Sequence, residues 1–209
     1  MKFTKEEFYR VMNLWEREEY KIPEDVLNAL FSEKRVFDDS QKELVRITVL
    51  NQFYSTNLHN VELLSIANYL SKKSDDLNKL LECNSEQAVA MIARSSKDVN
   101  SNHRLHYVFA TKYCSFVAPN SNDYPIFDSI VGGFYLLFRE EWQSENDSIP
   151  DDVFKSPSGN VSLEAIKKQY CQYKTAVKAL MTKFTWIDSV KKLDQYLWMA
   201  MKDKGQYID

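Results

Sequence analysis

Glycine and proline are scarce in this sequence, whose 209 residues include four glycines and five prolines. A sheet-rich domain of this size would need more glycines, because many of its turns call on backbone conformations that other residues avoid. The scarcity therefore favours long helices joined by short loops. We predict an all-α fold of about ten helices that forms a single domain over residues 1–209, with a loop or insertion near residues 143–160.

Cysteine and histidine are also few, with three of each, and no Cys-x-x-C pair occurs. The odd number and wide spacing of Cys83, Cys114 and Cys171 argue against a disulfide framework and favour a reducing compartment. Structural zinc needs closely grouped Cys and His ligands, so we expect no metal and no cofactor. No run of about 18 apolar residues is present. We therefore expect a cytoplasmic protein that has no membrane partner and is a monomer by default.

An excess of basic residues is missing as well, since 27 lysines and arginines face 30 acidic residues, for a net charge of −3. The strongly basic footprint of avid nonspecific nucleic-acid binding is therefore absent. A local basic face remains compatible with this composition.

Helix-start signals and apolar periodicity are what the sequence does contain. Thr4 and Ser40 each begin a capping-box pattern, and Asn60 fits the cap of a further helix. Pro23 suits the first turn of a second helix. The helix that follows Ser40 is apolar nearly all round, which is typical of a central helix.

Two further helical patterns flank a polar loop over residues 118–125. The first covers residues 102–117, and the second runs from Ile126 to about Trp142 with Gly132 and Gly133 inside it. Adjacent glycines weaken a helix, so their presence predicts close approach of another backbone. This arrangement places Lys112 on the first helix and Asp128 at the start of the second.

These segments resemble the helix-hairpin-helix superfamily of DNA glycosylases, within it the bacterial relatives of 8-oxoguanine DNA glycosylase. Leu50-Asn-Gln-Phe-Tyr-Ser-Thr-Asn57 stands where the family has a segment that enters the DNA or the base pocket. Phe109-Ala-Thr-Lys112 through Tyr124-Pro-Ile-Phe-Asp-Ser-Ile-Val131 is similar to the family's Gly-x-Lys-x-Ala helix, loop and Pro-Val-Asp-x-x-Val. Residues 192–198 look like the closing helix of this group.

The resemblance implies a helix-hairpin-helix fold and an enzyme of base excision repair. Such an enzyme excises a damaged or modified base, most of all an oxidised purine, from its DNA partner. Asp128 would stabilise the sugar cation, and Lys112 would be a possible Schiff-base nucleophile with AP-lyase activity. The substrate-binding residues would be Gln52, Tyr54, Asn57, Asn102, His103, Arg104 and His106.

The same residues also fit ordinary structural roles. Asp128 is typical of a helix N-terminus, Lys112 fits a surface lysine with a buried stem, and Phe53 with Tyr54 fits the core. No glycine precedes Gly132, whereas the family hairpin usually grips a DNA phosphate with Gly-x-Gly amides. The alternative is therefore a non-catalytic helical module of the same fold that binds nucleic acid or a protein partner. A shared cleft for both charged groups favours the enzyme, and an acidic rim argues against DNA.

Overall fold

A computed structural model describes residues 4–95, 104–130, 132–133 and 150–206. Within these ranges the regular secondary structure is helical and no strand occurs, so the predicted all-α class is confirmed. No helix in the described ranges is both long enough and apolar enough to cross a membrane.

Nine α-helices lie in the described ranges, together with two short 3₁₀ helices. The α-helices are α1 (Lys5–Trp15), α2 (Glu18–Leu30), α3 (Ser40–Tyr54), α4 (Asn60–Lys72), α5 (Ser74–Glu82), α6 (Glu86–Ala93), α7 (Tyr107–Val117), α8 (Leu163–Lys183) and α9 (Val190–Gln206). The 3₁₀ helices are Ser121–Asp123 and Asp151–Phe154. Residues 129–130 and 132–133 are also helical, and the remainder of the predicted 126–142 helix lies outside the described residues.

The helix starts follow the capping signals with two corrections. Thr4 caps α1 as predicted, since its Oγ1 accepts a hydrogen bond from the Glu7 backbone N–H at 3.2 Å. Asp39, rather than Ser40, caps α3, because its carboxylate accepts from the Gln41 N–H at 2.8 Å. In the same way Asn60 is the first residue of α4 and not its cap. A carboxylate one residue upstream satisfies the first amides as well as a hydroxyl does, which explains the shift at α3.

Two helices have boundaries that differ from the prediction. Pro23 lies inside α2, which begins at Glu18 and whose first turn is closed by the Arg17 carbonyl. Helix α7 begins at Tyr107, because the His106 N–H donates to the Ala93 carbonyl at 2.9 Å and is thereby held against the end of α6. Residues 104–106, predicted to be part of this helix, are consequently not helical.

The core is centred on α7, which is buried along almost its whole length and packs against α3 and α6. Helix α3, expected to be central, is not buried on every side, because Val45 and Phe53 are 55% and 42% exposed. Its inner face carries the buried ion pair of Glu43 and Arg46, and the Tyr113 hydroxyl donates a hydrogen bond to the Glu43 carboxylate. Buried charge on that face takes the place of part of the expected apolar contact.

The paired glycines fulfil the predicted close approach at one of the two positions. A Cβ at residue 132 would lie 2.8 Å from the Phe154 carbonyl oxygen, closer than a methyl group can sit beside backbone. At Gly133 a Cβ would lie 3.6 Å from the Met201 side chain, an ordinary contact. Gly132 thus lets the segment that follows Asp128 lie directly against the 3₁₀ helix at Asp151–Phe154.

Candidate functional site

A cavity of about 1270 Å³ opens among the helices at one side of the molecule. Helices α1, α2, α3, α7 and α9 contribute side chains to its wall. Residues outside these helices contribute at 55–57, 104–106, 128–130 and 156–160. Its volume exceeds the roughly 300–1,000 Å³ that is typical of small-molecule sites. Residues from widely separated parts of the sequence therefore share one concave surface.

Lys112 lies on the wall of this cavity and is only 4% exposed. Its Nζ is 3.3 Å from Asp128 Oδ2 and donates a hydrogen bond to the Tyr54 carbonyl at 3.2 Å. The ammonium also lies 5.3 Å from the centre of the Tyr54 ring, within the range of a cation–π contact. The interpretation of Lys112 as a surface lysine is therefore wrong.

Asp128 is 8% exposed and lies at the start of a helical segment, as its sequence position suggested. Its Oδ1 accepts a hydrogen bond from the Ile130 N–H at 2.9 Å, so it caps the helical residues that follow. Its Oδ2 faces Lys112 across the cavity floor. The hydrogen bond to Oδ1 fixes the orientation of the Asp128 carboxylate and leaves Oδ2 in contact with Lys112.

The segment that leads into Asp128 is anchored on both sides. Thr111, the neighbour of the lysine on α7, accepts from the Phe127 N–H at 3.1 Å and donates to the Phe127 carbonyl at 3.2 Å. From α8, the Tyr173 hydroxyl donates to the Ile126 carbonyl at 2.7 Å. These buried bonds tie the carboxylate to the same helix that carries Lys112, so the pair is held by the scaffold.

Four of the predicted substrate-binding residues also line the cavity: Tyr54, Asn57, Arg104 and His106. Arg104 donates to the Asn57 carbonyl at 3.0 Å, and His106 Nε2 lies 3.5 Å from Glu62 Oε1. The structure thus brings the end of α3 and the start of α7 to the same rim.

The other three predicted substrate-binding residues are not brought into this group. Gln52 is exposed and is not part of the cavity lining. Asn102 and His103 lie outside the described residues.

Helix α9 supplies residues that the sequence reasoning did not single out. Asp194 and Trp198 line the cavity, and Lys191 lies beside it with its Nζ 3.0 Å from the Tyr54 hydroxyl. The three positions are separated by three and four residues, which places them on one face of a helix. That spacing of charged and aromatic residues was the available signal in the sequence.

Aromatic side chains also gather at the same end of the cavity. Trp15, Tyr20 and Trp198 line it, and their ring centroids lie 5.6 to 6.1 Å apart. Phe53, expected in the core, is exposed and borders the cavity as well. The contacts of Trp198 bring the last helix, α9, against the end of α1 and the start of α2.

Asp194 is a cavity residue with a strongly perturbed carboxyl group. Burial raises its pKa from 3.8 to about 7, with further increases from Asp128 and Glu24, while Lys191 and Lys112 lower it. In the described part of the chain no hydrogen bond or ion pair engages this carboxyl. Within the same residues no group of three or more His, Cys, Asp or Glu side chains is arranged to hold a metal ion.

Comparison with protein families gives one match. The family model described as the HI_0787_N N-terminal domain covers residues 7–121, which is more than half of the 209 residues. The chain belongs to this family. The HI_0787_N match runs from within α1 through α7, including Tyr54 and Lys112, and it ends before Asp128 and α9. No curated protein and no solved structure matches the chain.

Proposed function

We propose that this protein is a DNA glycosylase-like enzyme that excises a damaged or modified base, most of all an oxidised purine, from DNA. The proposal is supported chiefly by one observation, the Lys112–Asp128 ion pair of 3.3 Å on the wall of a 1270 Å³ cavity. A base must leave the duplex to be attacked, and a concave site of this size has room for the flipped nucleotide.

Asp128 acts on the charge that develops in the sugar. As the bond from C1′ to the base nitrogen lengthens, the electron pair leaves with the base and positive charge grows on the sugar. A fixed carboxylate in a largely water-excluded site stabilises that charge more strongly than one in bulk water. The hydrogen bond from Ile130 keeps the Asp128 carboxylate in place while this occurs.

Lys112 supplies the nucleophile. Its ammonium form has no lone pair, so it must lose a proton before its nitrogen can bond to C1′. Asp128 Oδ2, 3.3 Å away, is positioned to accept that proton. As the bond from the Lys112 nitrogen to C1′ forms, the bond from C1′ to the base breaks. Opening of the sugar ring then breaks the C1′–O4′ bond and leaves a Schiff base between Lys112 and C1′, and a proton from the nitrogen passes to O4′. Loss of a proton from C2′ then eliminates the 3′-phosphate and cleaves the strand.

The experiment is base release from a panel of duplexes that each carry one lesion, combined with borohydride reduction during the reaction. We expect release from at least one oxidised purine and a reduced covalent complex between protein and DNA. Asp128→Asn removes the charge at nearly constant shape, and we expect it to abolish release. Asp123→Asn is the matched control, because Asp123 is not a cavity residue.

Contrary results would be clear. If no duplex in the panel loses a base, or if Asp128→Asn releases it at the wild-type rate, the glycosylase assignment is wrong. Normal release by the Asp123→Asn protein is required for either outcome to be meaningful.

The charges along the cavity favour a second candidate, the non-catalytic helical module. Glu19 and Glu24 line the cavity together with the two aspartates, against Arg94, Arg104 and Lys112. This balance is less favourable to a phosphate backbone than a basic cleft would be. Fluorescence anisotropy with labelled duplexes at low salt tests this candidate. Absence of binding would exclude duplex DNA as the substrate and favour a module that binds a protein partner, whereas binding without base release would favour a module that binds nucleic acid.

A further inference from the structure

Tyr54 is held at both of its polar ends by a lysine. It is the last residue of α3, and its carbonyl accepts a hydrogen bond from Lys112 at 3.2 Å. Its hydroxyl accepts one from Lys191 of α9 at 3.0 Å. The chain then turns away through Ser55, whose φ of 48° is left-handed. Tyr54 therefore links the lysine of the proposed reaction to a second lysine that has no assigned role.

Lys191 is itself fixed by contacts to two other elements. Its Nζ lies 3.1 Å from Glu24 Oε1 of α2, and the other oxygen of that carboxylate accepts from Gln195 Nε2 at 2.7 Å. The ammonium also lies 4.5 Å from the centre of the Phe116 ring on α7. A charge with an ion-pair partner and a ring contact has a defined position.

The protonation states suit a permanent anchor. Burial lowers the pKa of Lys191, but Tyr54 and Glu24 raise it by more, so the side chain stays an ammonium. Burial raises the pKa of Tyr54 to about 12, so its phenol stays neutral and can accept this hydrogen bond near neutral pH. The contact between them is thus unchanged over the range in which an enzyme would be assayed.

We propose that Lys191 is a positioning residue that holds the Lys112 amine against Asp128 by anchoring Tyr54. The ring and the carbonyl of Tyr54 form one wall of the Lys112 site, with the ammonium 5.3 Å from the ring centre. Release of the hydroxyl frees the ring to rotate and loosens the end of α3. The catalytic consequence rests on the proposed glycosylase function, whereas the placement of the amine does not.

The placement is tested without DNA. Reductive methylation with ¹³C-formaldehyde labels lysine amines, and a Lys112→Met sample assigns the signal of residue 112. We expect this signal to carry a ring-current shift from Tyr54, and to move toward the position of an exposed lysine in Lys191→Met and Tyr54→Phe. Lys192→Met is the matched control, because Lys192 is the exposed neighbour that pairs with Asp188 at 2.6 Å.

The consequence for the reaction is tested by single-turnover borohydride trapping together with DNA affinity. A misplaced nucleophile loses rate rather than binding, and a shift of about 1 Å costs up to roughly 100-fold. We expect Lys191→Met and Tyr54→Phe each to reduce the trapping rate about 10-fold or more. DNA affinity should stay within about twofold of the wild-type value in Lys191→Met, because Lys191 does not line the cavity. Both substitutions remove the same hydrogen bond, the one between Lys191 and the Tyr54 hydroxyl. The double variant should therefore be no slower than the slower single variant.

The outcomes separate this inference from the proposed function. If the Lys112 signal moves in both variants but not in Lys192→Met, the positioning role holds even where no DNA is trapped. If the signal stays in place, or if the two losses in rate simply multiply, Lys191 does not act through Tyr54 and the inference is overturned. Circular dichroism of each variant verifies that it is folded.

Discussion

Two buried lysines in this protein have closely similar surroundings, but only one of the two lines the cavity. Lys112 and Lys174 are 4% and 5% exposed, and each ammonium lies 5.3 Å from the centre of a tyrosine ring. Lys112 pairs with Asp128 at 3.3 Å, and Lys174 pairs with Glu86 at 2.9 Å. Only the first belongs to the cavity lining.

The two lysines also stabilise the chain in the same way. Lys112 donates to the carbonyl at the C-terminus of α3, and Lys174 donates to the Asn84 side chain just after α5. Cations near helix C-termini compensate the partial negative charge there. Burial, ion pairing and ring contact therefore do not identify a reactive lysine. Access to a space that a substrate can enter is the property that separates Lys112 from Lys174.

Replacing each lysine by methionine gives the largest expected difference. Lys112→Met removes the proposed nucleophile and should abolish borohydride trapping, a loss on the order of 1,000-fold or more. Lys174→Met leaves Glu86 without its partner and should cost about 1–3 kcal/mol of unfolding free energy while trapping persists. Denaturant unfolding and trapping of both proteins measure the two effects. Equal loss of trapping in both variants would mean that the cavity does not distinguish them.

A substitution at Gly132 should disturb the site of Lys112 and leave the site of Lys174 unchanged. Alanine there would place a Cβ 2.8 Å from the Phe154 carbonyl oxygen, so the segment beginning at Asp128 must shift. We expect Gly132→Ala to cost about 1–3 kcal/mol, as overpacking does, and to slow trapping. Gly133→Ala has room for its methyl group and should gain up to about 1 kcal/mol from helix propensity. Thermal unfolding of both variants measures this, and equal stabilities would show that the close approach is not limiting.

Asp194, in the cavity near Lys112, and Glu86, the partner of Lys174, should make the stability of the fold depend on pH with opposite signs. The folded pKa of Asp194 is raised from 3.8 to about 7, so its contribution to stability is fully present below about pH 4 and is lost as pH rises toward 7. Burial alone would raise the pKa of Glu86, but the hydrogen bond from Lys174 lowers it overall. Its contribution is therefore present above its ordinary value of 4.5 and is lost as pH falls.

Melting temperatures across pH 4–8 test both signs. Asp194→Asn should flatten the loss of stability between about pH 4 and pH 7, because the amide has no charge to bury. Glu86→Gln should lower the melting temperature near pH 7 and have little effect near pH 4. A steeper decline toward pH 7 in Asp194→Asn would contradict the raised pKa of that group.

The sequence anticipates the parts of this comparison that depend on local pattern. Scarce glycine predicts the helical class, Thr4 predicts a cap, and Gly132 predicts a close approach, because each depends on a few neighbouring residues. The helix–loop–helix over residues 109–131 likewise anticipates that Lys112 and Asp128 lie near each other. The anchor between Lys191 and Tyr54 joins positions 137 residues apart, so it depends on how α9 packs against α3. Periodicity predicts which face of α9 turns inward but not which residue it meets.

The smallest expected effect concerns the two amides near Tyr54, which resemblance alone placed in one substrate-binding group. Asn57 lines the cavity with a left-handed φ of 56°, whereas Gln52 is exposed and outside the lining. Gln52→Ala should change stability by no more than about 0.5 kcal/mol and leave base release unaltered. Asn57→Ala should cost about 1 kcal/mol through backbone strain, which Asn57→Gly should avoid. If base release depends on Gln52 more than on Asn57, DNA contacts extend beyond the cavity, and its boundary does not define the substrate site.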